Sequence, residues 1–208
     1  MRILISDDHV TARIGLKQIL NQEFGPVDFY ETSSAAEVIN LSGEKNFDLI
    51  ILDISLPGRN GLEVLRQLHD FKIKTPVLAT SFHRDDHFAV RVLKTGAMGF
   101  LSKVADGPEI INAVRQVLNG RKYITMSVAE LLARHLNGDN DLLPHEVLSD
   151  REYETLIMIG DGKTVSQIAR DLSLAVPTVS TYRSRILEKM QMNTNAELMR
   201  YVIEKNLI

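Results

Sequence analysis

Over the first 120 residues, short apolar runs alternate with segments whose apolar positions recur every three to four residues. The runs at 2–5, 27–30, 48–53, 76–80 and 99–102 predict β-strands. Segments 10–22, 34–42, 60–70, 85–95 and 107–119 predict helices, the last from the spacing of Ile110, Ile111, Val114, Val117 and Leu118. Five such β-α repeats predict a parallel sheet with helices on both faces. Leu49-Ile50-Ile51-Leu52 is apolar at every position, which marks it as a central strand buried on both sides. After Asn119-Gly120 the alternation stops. Residues 126–137 predict one helix, and 138–148, with Gly138-Asp139-Asn140-Asp141 and then Pro144, predict an exposed linker. From Ser149 onward only helical periodicity remains. The expected architecture is a doubly wound, five-stranded α/β domain over 1–120, a linker over 121–148 and a small all-α domain over 149–208.

That topology gathers chemistry at one edge. In an open α/β sheet, ligands bind at the carboxyl ends of the strands, near the point where strand order reverses. The first predicted strand is followed by Asp7-Asp8, and the third ends in Leu52-Asp53. Three carboxylates brought into one crevice repel one another unless a cation sits among them. Oxygen-only ligands at a partly hydrated site suit Mg²⁺. The fourth strand ends in Thr80-Ser81, offering a hydroxyl, and the fifth in Ser102-Lys103, offering an ammonium. Hydroxyl, ammonium and metal around one carboxylate form a constellation for binding a phosphoryl group, and carboxylates do act as nucleophiles toward phosphorus.

The helical domain carries a different signal. Val165, Ile168, Ala169 and Leu172 line one face of a first helix, a turn follows at Ser173-Leu174-Ala175-Val176, and a second helix starts near Pro177. On that second helix Val179, Tyr182, Ile186 and Met190 form an apolar stripe, while Ser180, Thr181 and Ser184 project the opposite way. Arg183, Arg185 and Lys189 lie on the flanks, where phosphates run beside a helix in a major groove. The hydroxyl residues are the candidates for base edges and the three cations for phosphates. A plain helical hairpin with a solvated polar face fits the same periodicity, and Tyr182 fits either packing or stacking on bases. The later segment 195–205, with Leu198, Tyr201 and Val202 on one face, is a candidate pairing surface or part of the domain's own core.

Composition narrows the setting. The chain has 208 residues, 44% hydrophobic and 25% charged, which excludes wholesale disorder. It has no cysteine, which excludes disulfide scaffolds, thiolate zinc sites and cysteine nucleophiles. No apolar run approaches the ~18 residues of a membrane helix, and Asp7-Asp8 come too early for a signal peptide. A soluble, cytoplasmic protein without membrane contact is expected. Residues 1–124 hold 15 basic and 15 acidic groups and 149–208 hold 8 and 8, so the net charge of −3 comes wholly from 125–148. Any nucleic-acid contact must therefore rest on local patches.

Ser6-Asp7-Asp8, Asp53-Ile54-Ser55-Leu56-Pro57-Gly58-Arg59-Asn60-Gly61, Ser81 and Gly99-Phe100-Leu101-Ser102-Lys103 together resemble the CheY-like receiver domain of bacterial response regulators. The resemblance implies that Asp53 is the phosphate acceptor, that Asp8, Asp53 and the Ser55 carbonyl hold Mg²⁺, and that Asp7 supports the metal through bound water. It also implies that Ser81 is the switch hydroxyl, Phe100 the switch aromatic and Lys103 the phosphoryl-binding lysine. Val104 departs from the family, which usually has Pro or Asp there, and so bears on whether the Lys103-Val104 peptide is cis. Leu148-Ser149-Asp150-Arg151-Glu152, Gln167-Ile168-Ala169, Thr178 to Arg183 and Ile186 to Met190 are similar to LuxR-type helix-turn-helix domains. Ala175 stands where that family usually has a capping Ser, a loss of ~1 kcal/mol that Pro177 in the first turn partly offsets. The pair of domains resembles the NarL/FixJ-type regulators. A sensor histidine kinase, double-stranded promoter DNA and a homodimeric partner are the implied associates, and the chain is not expected to be an enzyme. Two rivals remain at this point: a phosphorylation-independent DNA-binding regulator, and a phosphohydrolase with an aspartyl nucleophile of the haloacid dehalogenase type. The latter usually carries a second Asp two residues after the nucleophile, where this chain has Ser55. His83 and His87, four residues apart, could bind a transition metal or simply begin the fourth helix.

Overall fold

The computed structural model describes residues 1–56, 61–82, 86–136, 143–205 and 207–208; the side chains at 87 and 134–136 are not described. Two compact units emerge, one of Met1–Phe82 with Phe88–Ala129, the other chiefly Glu130–Ile208.

In the first unit, strands β1 (Arg2–Ser6), β2 (Asp28–Thr32), β3 (Leu49–Asp53), β4 (Val77–Ser81) and β5 (Gly99–Ser102) alternate with helices α1 (Val10–Phe24), α2 (Ala35–Glu44), α3 (Gly61–Asp70), α4 (Asp86–Lys94) and α5 (Gly107–Leu118). The sheet runs β2-β1-β3-β4-β5 with every neighbouring pair parallel. Strands β3 and β4 are buried at all five positions, as their unbroken apolar or small residues require of central strands. Ile3, Ile5, Leu49, Ile51 and Leu78 face Ile110, Ala113, Val114 and Val117 of α5 on one side. Leu4, Ile50 and Leu52 alternate to the other side and are equally buried. Each such side chain contributes roughly 1.5–3 kcal/mol of burial.

The sheet does not end where the β-α repeat ends. Tyr123 bridges to Gly99 and its N–H donates to the Met98 carbonyl, so residues beyond 120 blunt the open edge of β5. Helix α6 (Met126–Leu136) follows.

The second unit packs α7 (Asp150–Gly160), α8 (Val165–Asp171), α9 (Val176–Lys189) and α10 (Asn195–Glu204) around Tyr153, Leu156, Ile168, Val179, Ile186 and Leu198. Caps start the helices. Glu152 accepts from the Ser149 N–H, Thr164 and Gln167 exchange bonds, and Thr194 accepts from the Glu197 N–H. Helix α9 begins at Ala175 without a side-chain cap and with Pro177 in its first turn, as its sequence indicates. The turn between α8 and α9 closes on Ser173, whose φ of 54° is left-handed, with the Leu174 N–H returning to the Ala169 carbonyl.

One expectation needs correction. The stretch 138–148 is not exposed throughout: His145 and Leu148 are buried, and His145 Nδ1 lies 2.8 Å from the Tyr201 hydroxyl, its ring beside Tyr153. An imidazole can pair with a phenol inside the helical core, so the end of the supposed linker belongs to that core. Of the two readings left open for 195–205, the domain's own core is the one observed: Leu198, Tyr201 and Val202 are buried within their own unit.

Candidate functional site

The acid crevice forms at the switch point between β1 and β3. The Asp7 N–H donates to the Thr32 carbonyl, which extends the β1–β2 ladder by one residue and aims Asp7 over the strand ends. The Ile54 N–H donates to Thr80 at 3.0 Å and does the same for Asp53. The Lys103 N–H donates to the Ser81 carbonyl at 2.8 Å, joining the ends of β4 and β5. These backbone anchors converge one ammonium on two carboxylates. Lys103 Nζ lies 2.7 Å from Asp7 Oδ2 and 2.6 Å from Asp53 Oδ2.

Asp7 and Asp53 are buried while the Asp8 side chain is one-third exposed. Asp53 Oδ1 accepts from the Ser55 N–H at 2.9 Å. Burial pushes the Asp53 carboxyl above its ordinary value; Lys103 and the Ser55 N–H pull the other way, and the charge of Asp7 adds to the rise. The oxygens of Asp7, Asp8 and Asp53, with a ring nitrogen of His9, lie within 4.8 Å of one another. Three carboxylates against one ammonium leave an excess of negative charge, and hard oxygen donors predominate. That donor set fits a hard divalent cation.

Ser81 is fully buried at the end of β4. Phe100 is half-buried on β5 with its ring edge-on to Phe88, centroids 6.1 Å apart. Lys103-Val104 is trans, as is every described peptide bond. His83 and the side chain of His87 lie outside the described residues, as does Gly58.

Two neighbours of the crevice carried no signal in the periodicity. His9 Nδ1 lies 2.8 Å from Asp8 Oδ1 and 3.2 Å from Asp7 Oδ1. Phe82, half exposed, sets its ring 5.3 Å from the His9 ring, with Lys103 Nζ 4.9 Å from its centroid. The only hint in the chain is adjacency, His9 after two acids and Phe82 after the strand-end hydroxyl.

In the helical unit, Val179, Ile186 and Met190 face inward and Tyr182 is half-buried, whereas Ser180, Thr181, Ser184 and Arg185 are exposed on α9. The three flanking cations are not equivalent. Arg183 Nε donates to Asn195 Oδ1 at 2.6 Å, tying α9 to α10. Lys189 Nζ pairs at 2.6 Å with the buried Glu152 of α7. Burial alone would raise the Glu152 carboxyl, but Lys189 and Ser149 outweigh it and hold it below the usual carboxylate range. Sequence spacing gave no sign of either tie, because the partners lie 12 and 37 residues away.

Residues 3–130 match the response regulator receiver domain family, and residues 146–202 match the luxR family of bacterial regulatory proteins. The response regulator UvrY of Escherichia coli is 29% identical over all of this chain and 95% of its own. The response regulator GacA of Pseudomonas viridiflava is 31% identical over all of this chain and 98% of its own. RcsB of Salmonella enterica serovar Typhimurium, solved on a promoter in the presence of phosphomimetic BeF3, is 21% identical over 97% of this chain and 98% of its own, with a TM-score of 0.68. That last likeness is one of fold. No described helix is long and apolar enough to cross a membrane.

Proposed function

This chain belongs to the two-component response regulators that join a receiver to a LuxR-type DNA-binding domain, and from that premise we propose that a sensor histidine kinase phosphorylates Asp53 and that the loaded protein binds double-stranded promoter DNA as a homodimer. The family is one of transcription regulators rather than enzymes. The observation that carries the reading is the Lys103 ammonium shared between Asp7 and Asp53 at the strand ends. Of the two buried carboxylates on that lysine, Asp53 ends the central strand β3 and also accepts from the Ser55 N–H.

In the transfer, an Asp53 oxygen forms the new P–O bond as the P–N bond of the donor phosphohistidine breaks, and the departing imidazole nitrogen keeps its electron pair. Lys103 turns from carboxylate to phosphoryl oxygens and balances the added charge. Asp8, Asp53 and the Ser55 carbonyl are proposed to hold Mg²⁺, with Asp7 acting through water; the bound ion would neutralise phosphoryl charge. Ser81 is proposed to bond the arrived phosphoryl group and Phe100 to follow it inward. That change reshapes the face made by α4, β5 and α5 and favours pairing of two chains. RcsB, of the same fold, was solved on a promoter in the presence of phosphomimetic BeF3, which supports promoter DNA as the target. The DNA-binding domain is proposed to span 149–208 with the end of the linker, from His145, packed into its core, after a receiver over 1–120. On it Ser180, Thr181 and Ser184 are proposed to meet bases, Arg185 a phosphate, and Arg183 a phosphate while bonded to Asn195. Lys189, engaged with Glu152, is assigned to holding α9 on α7. The protein is proposed to work in the cytoplasm.

Intact-mass measurement after treatment with Mg²⁺ and acetyl phosphate tests the acceptor. One phosphoryl adduct is expected on the wild type and none on Asp53→Asn. A full adduct on the variant would overturn the assignment.

A further inference from the structure

Two hydroxyls on the exposed face of α9 are acceptors only toward a ligand. Thr181 Oγ1 donates to the Pro177 carbonyl at 3.0 Å, and Ser184 Oγ donates to the Ser180 carbonyl at 3.1 Å. Each hydroxyl thus spends its single proton on its own helix and presents only lone pairs outward. The helix tip adds no donors to speak of. Pro177 has no N–H, and the Thr178 and Val179 N–H groups both turn to the Ala175 carbonyl. Ala175, Val176 and Pro177 are all exposed, so the tip is apolar, and Glu188, one turn beyond Ser184, is exposed and acceptor-only. Arg185 is the one exposed cation on this face between Pro177 and Glu188.

From this chemistry, and resting on the reading of α9 as the DNA-contacting helix, we propose that the protein selects base edges carrying an exocyclic amino group or a methyl. Adenine N6 and cytosine N4 are the donors a major groove offers, and the thymine methyl is its apolar feature. Guanine shows only acceptors there, and with Arg185 assigned to a phosphate its partner on this face is the exposed Ser180 hydroxyl. Thr181 and Ser184 are therefore the specificity-determining residues for adenine or cytosine, the Thr181 methyl and Val176 tip suit thymine, and guanine is confined to positions within reach of Ser180.

The test uses the full chain loaded with Mg²⁺ and acetyl phosphate. Sites are selected from a random duplex pool, and the best is rebuilt with base analogues: purine for adenine, a pyrimidine lacking the 4-amino group for cytosine, uracil for thymine, 7-deazaguanine for guanine. At positions sensitive to Thr181→Val or Ser184→Ala, removal of the amino group is expected to weaken wild-type binding by about tenfold or more, the scale of a specific base contact. Those variants should be indifferent to the same removal. Thr181→Val keeps the methyl and should stay sensitive to uracil. A Thr181- or Ser184-sensitive position that instead requires guanine N7 would overturn the proposal and leave DNA reading by α9 intact. If selection enriches a sequence but neither variant alters any base preference, the reading of α9 itself fails and the proposal with it. Both substitutions are on the exposed face, and unchanged circular dichroism verifies that the variants fold.

Discussion

At the scale of single residues, the crevice is an arrangement of compensated charge. Lys103 competes with a divalent cation for the oxygens of Asp7 and Asp53. Lys103→Gln is therefore expected to bind Mg²⁺ more tightly, by roughly tenfold for one removed charge beside buried carboxylates. The same variant should hold and transmit the phosphoryl group poorly. Calorimetric titration with Mg²⁺ checks the first part, and looser binding would contradict it. Phe82 stands against both His9 and Lys103 at the rim. Phe82→Ala should admit water to the aspartyl phosphate and shorten its lifetime, read by the decay of the intact-mass adduct. Beneath the loop, Gly61 donates its N–H to the Ile54 carbonyl, and a Cβ on it would sit 2.6 Å from Ile54 Cα. Backbone cannot yield as a side-chain end would, which is why glycine opens α3. The acids, Ser81 and Lys103 were legible because each ends a strand whose apolar run is plain in the chain. His9 and Phe82 were not, since their contact depends on how two loops meet across the sheet end.

Elements explain what periodicity could and could not reveal. The strands follow from unbroken runs such as Leu49 to Leu52, and α9 from its stripe of Val179, Ile186 and Met190. The close crossing of α7 and α10 does not. A Cβ on Gly160 would lie 2.5 Å from Val202 Cγ1 and 3.1 Å from its Cβ. Gly160→Ala is expected to cost about 1–3 kcal/mol by overpacking, with Val202→Ala restoring part of it; thermal unfolding of the single and double variants measures this. Conversely, Ala175 holds extended cap geometry, φ −71° and ψ 141°, without a capping oxygen. Ala175→Ser should stabilise the helical unit by about 1 kcal/mol. The pairing of Glu152 with Lys189 joins α7 to α9 and gives the unit an acid limit. The folded carboxyl lies below its ordinary value, so its contribution is complete above the ordinary Glu range, about pH 4.3, and is lost as pH falls through the lower folded value. Lys189→Gln should cost on the order of 1–2 kcal/mol, less than a fully buried pair, because the lysine is 40% exposed. The variant's unfolding midpoint should also depend less on pH in that acid window.

For the whole molecule, a receiver is joined to a DNA-binding domain that carries no net charge of its own, with 8 basic and 8 acidic groups over 149–208. Neutrality makes non-specific attraction to the phosphate backbone weak, so the proposed pairing of chains on paired half-sites is expected to supply most of the useful affinity. The salt slope of binding should be shallow and should fall by about one unit in Arg185→Ala. The two-domain division was visible in the switch from β-α alternation to pure helical periodicity. The burial of His145 and the outward reach of Tyr123 to Gly99 were hidden because each depends on one long-range contact. The most direct measurement of the central claim is a binding titration of the full chain on a selected duplex, with Mg²⁺, in the presence and absence of acetyl phosphate, for the wild type and Asp53→Asn. The phosphodonor is expected to tighten wild-type binding and to leave Asp53→Asn unchanged; identical isotherms for the wild type in both conditions, or an equal response in the variant, would contradict control of DNA binding by phosphate on Asp53.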